Sequence, residues 1–274
     1  MKFSGIKEVK FNSDEELANF YEHNIIDQEL LVNQYLLIKD KNNNYIDRFR
    51  WDSKKLIHFN NKTIDNSNIK KLKPRNYKQQ CCFDLLQNDN IPVKLITGVM
   101  GSGKTFLTLH HALDKLENSK TFKKIVYIRN NIDVKDTNSL GALPNGMKEK
   151  LLPYIMPIAD CIGNMVGLEM LEKQEKIEYV HLGFVRGRNL SESIIIVSES
   201  QSLTREHIAL LLGRVGDNSI IIFEGDLTQI DKKVFEENNG IRALEEVLSG
   251  NELFGWVHLD KTERSKVAEL SSLF

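Results

Sequence analysis

The sequence has no long apolar run and few cysteines, and each of these absences excludes a class of protein. No apolar stretch reaches the roughly 20 residues that a helix needs to cross a bilayer, and the first residues lack the apolar core of a secretory signal. We therefore expect a cytoplasmic protein with no membrane partner. Only three cysteines occur, two of them adjacent at Cys81 and Cys82, which fits neither a disulfide framework nor a zinc site.

The chain also has almost no net charge, with 37 basic and 38 acidic residues. A nucleic-acid surface would therefore have to be a local basic patch, because the chain as a whole offers no positive field. With 41% apolar and 27% charged residues, the composition is that of a globular protein. A length of 274 residues predicts one large domain or two of moderate size.

The chain divides into two regions of different character. In the first, a capping-box spacing opens a short helix over residues 13–23, and three strand-like runs within residues 35–60 predict a small antiparallel meander. The segment 60–76 is polar and rich in Asn and Lys, which predicts a linker. We therefore expect a small α+β domain with its linker over residues 1–73 and a second domain over residues 74–274.

The second region alternates helical patterns with short apolar strands. Such alternation is typical of an α/β fold with a mostly parallel sheet and helices on both faces. The strand-like runs are "VKLITG", "KIVYIRN", "SIIIVSES", "SIIIFEGD" and "FGWVHLD". Because the carboxyl ends of parallel strands share one edge of the sheet, we expect the chemistry of the protein at the residues that follow these runs.

One motif, "GVMGSGKT", predicts a nucleoside triphosphate site. It follows a strand and opens a helix, which is the context of a phosphate-binding P-loop. Lys104 is expected to reach the β and γ phosphates, and Thr105 to bind Mg²⁺. A glycine-rich turn with a chance lysine is the alternative, which the match at eight positions in context disfavours. The residues predicted to bind the nucleotide are Gly98, Val99, Met100, Gly101, Ser102, Gly103, Lys104, Thr105 and Phe106.

A second motif, "IIIVSESQ", supplies a candidate catalytic base. P-loop nucleotidases usually end this strand in Asp-Glu, where Asp holds the Mg²⁺ water shell and Glu activates water. Here Ser198 stands in the Asp position and Glu199 in the base position. We therefore expect Ser198 at the metal, hydrolysis that is slow, and faster turnover in Ser198→Asp. The alternative is that "SESQ" only caps a helix after a structural strand.

A third motif, "EGDLTQID", ends the next buried strand. A glutamine at this edge can touch the γ-phosphate and report whether hydrolysis has occurred, so Gln229 is predicted to be a sensor. The alternative is a polar turn, for which Gly225, Asp226 and Thr228 are ordinary residues.

Together these motifs resemble the PhoH-like ATPases, a family with one RecA-like domain related to superfamily 1 helicases. The resemblance rests on "GVMGSGKT", "LGALPNGMKEKLLPYIMPIAD", "VRGRNL", "VSESQSLTREHIALLLGRVG" and "EGDLTQID", which follow one another in the family's order. It implies a RecA-like P-loop core, ATP and Mg²⁺ as cofactors, and action on RNA or single-stranded nucleic acid. The family's second motif commonly reads Asp-Glu-Ala-Gln, which Glu199 and Gln201 match and Ser198 does not.

The resemblance also implies roles for residues in shorter motifs. It implies that Gln79, in "NYKQ", reads the adenine edge, although a solvated helix face would also explain this residue. It further implies a homo-oligomer, such as a hexameric ring, in which an arginine of one subunit completes the neighbour's site. Arg264 is the first candidate for this catalytic arginine and Arg214 the second; either could instead be a surface charge.

Two functions remain open at the level of sequence. The first is an Mg²⁺-dependent ATPase, in which helicase activity would require an oligomer because the chain has room for one RecA-like domain. The second is a nucleotide-binding regulatory or scaffold protein whose hydrolysis is weak or absent because of Ser198.

Overall fold

A computed structural model describes residues 5–23, 29–130 and 147–264 of the chain. The N-terminal region combines one helix with short strands, as an α+β region should. In chain order its elements are β1 (Ile6–Lys10), α1 (Asp14–His23), β2 (Tyr35–Lys39), β3 (Tyr45–Trp51), β4 (Leu56–His58), β5 (Ile64–Asn66) and β6 (Ile69–Leu72).

The N-terminal sheet is mixed. Strands β2, β3 and β4 form the antiparallel meander that the sequence predicts, and β1 adds a parallel strand beside β2. Part of the predicted linker is instead a hairpin of β5 and β6. Asn66 of this hairpin donates a hydrogen bond to the carbonyl of His110 at 3.0 Å, and Ile64 is buried. Composition suggested a linker because the polar side chains of the hairpin face water or bind the neighbouring helix.

The remaining chain forms a six-stranded sheet in which every neighbouring pair of strands is parallel, in the order β12-β7-β11-β10-β8-β9. The predicted α/β fold class with a RecA-like P-loop core is confirmed. In chain order the elements are α2 (Tyr77–Gln87), β7 (Val93–Gly98), α3 (Lys104–Asn118), β8 (Lys124–Arg129), α4 (Met147–Ile162), α5 (Met165–Lys173), β9 (Ile177–His181), β10 (Ser193–Ser198), α6 (Arg205–Leu212), β11 (Ile220–Gly225), α7 (Lys233–Glu237), α8 (Gly240–Leu248) and β12 (Phe254–Leu259). The structure adds β9, which the sequence analysis missed.

Alternate residues of each central strand pack on opposite faces of this sheet. On β10, Ile194 and Ile196 join the core under α2, α3, α4 and α5, whereas Ile195 and Val197 join the core under α6 and α8. This period of two explains why the strands read as unbroken apolar runs, since both faces are covered. It also means that Ser198 lies on the α3 face.

The core on the α3 face continues into the N-terminal region. It contains Tyr35 and Leu37 of β2 together with Phe83 and Leu85 of α2. The Tyr35 hydroxyl donates to Asp84 at 2.8 Å. The boundary after residue 73 stays a prediction, but the two regions share one apolar cluster.

No helix in the described ranges has both the length and the apolar character needed to cross a bilayer.

Candidate functional site

The loop between β7 and α3 has the backbone of a phosphate-binding turn. Gly101 and Gly103 adopt φ values of +74° and +94°, a left-handed region that residues with a side chain rarely occupy. Gly103 caps the N-terminus of α3 without a side-chain bond. The first free N–H groups of the helix therefore point toward the space in front of the loop, which favours an anion there.

Lys104, the first residue of α3, lies folded against this loop. Its Nζ donates hydrogen bonds to the carbonyls of Gly98 at 2.6 Å and Val99 at 3.0 Å. Burial lowers the pKa of Lys104, and the nearby carboxylates of Asp226, Glu224 and Glu199 partly offset this effect. A half-buried ammonium group held by neutral carbonyls is well placed to exchange them for phosphate oxygens.

The end of β10 presents Ser198 and Glu199 to the same space. Glu199 has a left-handed backbone, with φ +54°, which ends the strand and turns the chain. Its carboxylate accepts a hydrogen bond from Gln201 Nε2 at 2.6 Å and lies 3.7 Å from Arg129 Nη2. The side chain is 39% exposed, so Glu199 is oriented by the protein and still reachable by water.

A carboxylate that the sequence analysis missed lies beside these groups. Glu224, near the end of β11, is 1% exposed, and its Oε1 accepts a hydrogen bond from Thr105 Oγ1 at 3.0 Å. Burial raises the pKa of Glu224 to about 7, while the hydroxyls of Thr105 and Ser198 act in the opposite direction. The signal in the sequence was a single charged residue inside an otherwise apolar strand.

The residues after β11 form a hydrogen-bonded turn. Thr228 donates to one carboxylate oxygen of Asp226, and Gln229 Nε2 donates to the other at 2.7 Å. The backbone N–H of Asp226 donates to Gln201 Oε1 at 3.1 Å. Gln201 therefore joins the carboxylate of Glu199 to the turn that carries Gln229.

Most of the predicted site residues line one cleft of about 560 Å³, a size suited to a small molecule. Gly98, Val99 and Ser102 are not among the lining residues; the first two bind Lys104 through their carbonyls, and Ser102 is buried. The predicted residues that line the cleft are Gln79, Met100, Gly101, Gly103, Lys104, Thr105, Phe106, Ser198, Glu199, Gln229 and Arg264.

Gln79 is buried at the edge of the cleft with its amide partly engaged. Its Oε1 accepts from the backbone N–H of Arg75 at 2.9 Å, and its Nε2 donates to the carbonyl of Ser102 at 3.2 Å. A primary amide has two donor hydrogens and two acceptor lone pairs, so one of each remains for a ligand.

Arg264 lines the cleft of its own chain. The preceding residues bind the P-loop, since Thr262 Oγ1 donates to the carbonyl of Met100 and the N–H of Glu263 donates to the carbonyl of Gly101. The resemblance implied an arginine that reaches a neighbouring subunit. Within a single chain Arg264 lies beside the P-loop, because this segment follows β12, the neighbour of β7, and its role toward a neighbouring subunit stays a prediction. Arg214 does not line this cleft.

The donor set fits a hard divalent cation that arrives with a nucleotide. Thr105, Ser198 and Glu224 offer oxygen atoms, which Mg²⁺ prefers, and one carboxylate oxygen of Glu224 has no hydrogen-bond partner. In the described ranges, no three or more His, Cys, Asp or Glu residues are grouped to hold a metal by themselves. Mg²⁺ held through phosphates does not need such a group, since one or two carboxylates and several waters complete its shell.

A comparison with protein families decides between the possible kinds of P-loop protein. The family described as PhoH-like protein matches residues 71–271, which is most of the chain. The chain belongs to the PhoH-like protein family. Membership in this family indicates a nucleotide-binding P-loop protein, in agreement with the geometry of the loop.

Several PhoH relatives are similar to the chain. Protein PhoH2 of Bacillus subtilis (strain 168) is 31% identical over 287 aligned positions, covering 98% of this chain and 64% of the relative. Protein PhoH2 of Thermobispora bispora is 31% identical over 202 positions, which cover 73% of this chain and 46% of the relative. A PhoH-like protein of Bacillus subtilis is 33% identical over 171 positions, which cover 61% of this chain and 52% of the relative. The chain thus spans about half to two thirds of the length of these relatives.

Replacing Lys104 should sharply weaken nucleotide binding. In Lys104→Ala the phosphates lose a charge-assisted hydrogen bond, so the affinity for ATP measured by calorimetry should fall by about ten- to a hundredfold. Lys115→Ala is the matched control, because Lys115 lies on the same helix and pairs with Asp89 outside the cleft. Equal affinities of Lys104→Ala and the unaltered protein would mean that the loop is only a structural turn.

Proposed function

We propose that this PhoH-family chain is an Mg²⁺-dependent ATPase. The observation that carries the proposal is the convergence of Lys104, Glu199 and Gln229 on one cleft at the carboxyl edge of the sheet. Lys104 and the N–H groups of the P-loop would bind the phosphates. Glu199 would accept a proton from the attacking water, since it is held in place and accessible.

The metal would be held next to the P-loop by Thr105, with Ser198 close by. Bound Mg²⁺ would supply positive charge to the β and γ phosphates as the bond between them breaks. Adenine would be selected by Gln79, whose remaining donor and acceptor match the adenine edge and not the reversed groups of guanine.

Gln229 would report the state of the nucleotide. Its side chain is held by Asp226, and the backbone of Asp226 is joined through Gln201 to Glu199. A change in the position of Glu199 on hydrolysis would therefore reach the turn after β11 through two hydrogen bonds. Arg264, placed in the cleft of its own chain, would add positive charge near the phosphates.

One observation favours a second function. Ser198 stands where the strand commonly carries an Asp, which would leave the protein a nucleotide-binding regulatory or scaffold protein with weak or no hydrolysis. ATP would then act as a ligand that stabilises one assembly or conformation. Measurable ATP turnover by the unaltered protein would favour the ATPase, and ATP binding without turnover would favour the regulatory function.

Glu199→Gln should reduce ATP turnover by about a hundredfold or more, because an amide cannot accept the proton of the attacking water. Phosphate release measures turnover, and calorimetry should show that ATP affinity stays within about threefold, since Glu199 is not a phosphate ligand. Glu192→Gln is the control, because Glu192 precedes the opposite end of the same strand. ATP binding without turnover in the unaltered protein would instead favour the regulatory function.

We also propose that the ATPase acts on RNA or single-stranded nucleic acid. Phe184 is 58% exposed just after β9, and Arg186 is exposed two residues later. An exposed aromatic ring beside an arginine is a platform on which a base can stack while the phosphate is bound. Because the chain has a net charge of −1, such a local platform is the form that a nucleic-acid surface would take.

Phe184→Ala should weaken the binding of a fluorescent oligouridine by about tenfold, because stacking contributes on the order of 1–3 kcal/mol per base. Phe184→Tyr should bind as the unaltered protein does, because it keeps the ring. Leu253→Ala controls for loss of exposed apolar surface, since Leu253 is 50% exposed. Anisotropy that is the same for Phe184→Ala and the unaltered protein would exclude this platform.

We further propose a homo-oligomer, most simply a ring such as a hexamer, in which Arg214 completes a neighbour's site. Arg264 is already in the cleft of its own chain, which leaves Arg214 as the candidate that acts between subunits. Its Nε is buried and has no hydrogen-bond partner, although the residue as a whole is half-buried. A single RecA-like core exposes one side of its nucleotide site, to which a head-to-tail neighbour can add a cation.

Mixing two inactive variants tests this arrangement. Lys104→Ala removes the phosphate contact and Arg214→Ala the neighbour's cation, so each variant alone should have low turnover. In mixed rings, an intact P-loop meets an intact arginine at some interfaces, and turnover should recover to about a quarter of the unaltered level. No recovery on mixing, with both proteins monomeric by light scattering, would contradict the proposal.

A further inference from the structure

A buried carboxylate on β11 has no place in the functions proposed above. Glu224 is 1% exposed, and of its two oxygens Oε1 accepts from Thr105 while Oε2 has no hydrogen-bond partner. Leaving such a group without a partner is unfavourable, and more so if the group is charged. An unpartnered carboxylate oxygen in the lining of the cleft therefore points to a ligand that completes it.

The strand order places Glu224 between the two elements that bind the nucleotide. Strand β11 lies between β7, which leads into the P-loop, and β10, which ends at Ser198. Val197 pairs with Phe223, so Ser198 and Glu224 follow side by side. Both continue the set of side chains that faces α3, the helix that carries Thr105.

Four other acidic residues line the cleft: Asp160 is exposed to water, Glu263 accepts a hydrogen bond from Asn76, and Glu199 and Asp226 are also engaged. Glu199 binds Gln201 and lies near Arg129, and both carboxylate oxygens of Asp226 accept hydrogen bonds. Among the buried carboxylates that line the cleft in the described residues, Glu224 is the one with an oxygen that has no hydrogen-bond partner, and the hydroxyl of Ser198 is beside it.

We propose that Glu224 supplies the carboxylate that holds the divalent cation of a bound nucleoside triphosphate, in place of the acid that β10 lacks at Ser198. The acidic group of the site then stands on the neighbouring strand, on the same face of the sheet. The proposal rests on nucleotide binding at the P-loop and makes Glu224 a metal-binding residue, either directly or through a water of the metal.

The geometry suits this role. Thr105 Oγ1 and Glu224 Oε1 are 3.0 Å apart. Two oxygen atoms this close could hold the same small divalent cation, which prefers oxygen ligands and would supply positive charge there. Thr105 and Glu224 would both offer oxygen atoms to the ion, and Glu224 would gain a positive charge in addition to that of nearby Lys104.

With Glu224 at the metal, Ser198→Asp is no longer expected to strengthen metal binding. If the site lacked a carboxylate, Ser198→Asp would add one and strengthen metal binding. With Glu224 in place, a second carboxylate beside it adds like-charge repulsion and little affinity. The missing Asp on β10 is then no reason to expect weak hydrolysis.

The test measures, by calorimetry, the affinity for a non-hydrolysable ATP analogue in Mg²⁺ and in EDTA. The ratio of the two affinities reports the metal, and the affinity in EDTA reports the nucleotide site alone. Glu224→Gln, which keeps the shape of the side chain, should lower this ratio by about ten- to a hundredfold and leave the affinity in EDTA unchanged or stronger. Glu178→Gln is the control, because it removes a carboxylate from β9 at the edge of the same sheet.

Two further variants make the result decisive. The double variant Ser198→Asp with Glu224→Gln returns the carboxylate to β10 and should restore the ratio to within about threefold of the unaltered protein. Ser198→Asp alone leaves Glu224 intact, so its ratio of affinities should stay within about threefold of that of the unaltered protein. This variant tests the proposal even if Glu224→Gln does not fold.

Three results would overturn the proposal. They are an unchanged ratio in Glu224→Gln, a gain of about tenfold or more in Ser198→Asp alone, or a double variant no better than Glu224→Gln. A failure of the proposed function looks different, because the unaltered protein would then bind the analogue neither in EDTA nor in Mg²⁺.

Discussion

The parallel pairing of β11 with β7 on one side and β10 on the other is the constraint on which the site depends. Parallel strands end at the same edge, so this pairing brings three polar segments together. The P-loop follows β7, Glu199 follows β10, and the turn with Gln229 follows β11. Branched apolar residues that pack on both faces of the sheet hold the strands in register. The polar residues at the strand ends therefore need not stabilise the fold themselves.

The same pairing places two ionisable side chains, Lys104 and Glu224, where contact with water is limited. Lys104 is half-buried and Glu224 is buried. Burial lowers the pKa of Lys104 and raises that of Glu224, so both shifts favour the uncharged form of the side chain. Each keeps neutral partners that exchange readily: carbonyls for Lys104 and a hydroxyl for Glu224. The proposed nucleotide with its cation would offer each group a partner of opposite charge.

The N-terminal region takes part in positioning the cleft. Tyr35 and Arg50 bind Asp84 on α2 at 2.8 and 2.9 Å, and Tyr35 is completely buried in the shared core. Asn76 caps the start of the same helix by accepting a hydrogen bond from the N–H of Gln79. The small sheet therefore fixes the helix that carries Gln79, and a change in that sheet would move the residue proposed to read the base.

Sequence patterns alone were enough to predict the parts of this protein that depend on local chemistry. The glycines and Lys104 of the P-loop lie within eight residues, and the apolar runs that end at Ser198 and near Asp226 specify strands whose ends must share an edge. Fold class and the neighbourhood of Glu199 and Gln229 follow from such short-range patterns. The strand β9 and the hairpin of β5 and β6 were missed, because their residues take their conformation from the elements on which they pack.

The contacts between residues far apart in the chain depend on the three-dimensional packing. Thr105 and Glu224 are 119 positions apart, and their contact depends on the order of the strands, which composition and periodicity do not determine. Arg264 lies in its own chain's cleft because β12 pairs beside β7, and the amide of Gln79 is held at the cleft by hydrogen bonds with Arg75 and Ser102. A short motif specifies the groups that a site requires, whereas a contact between distant residues depends on how the whole chain packs.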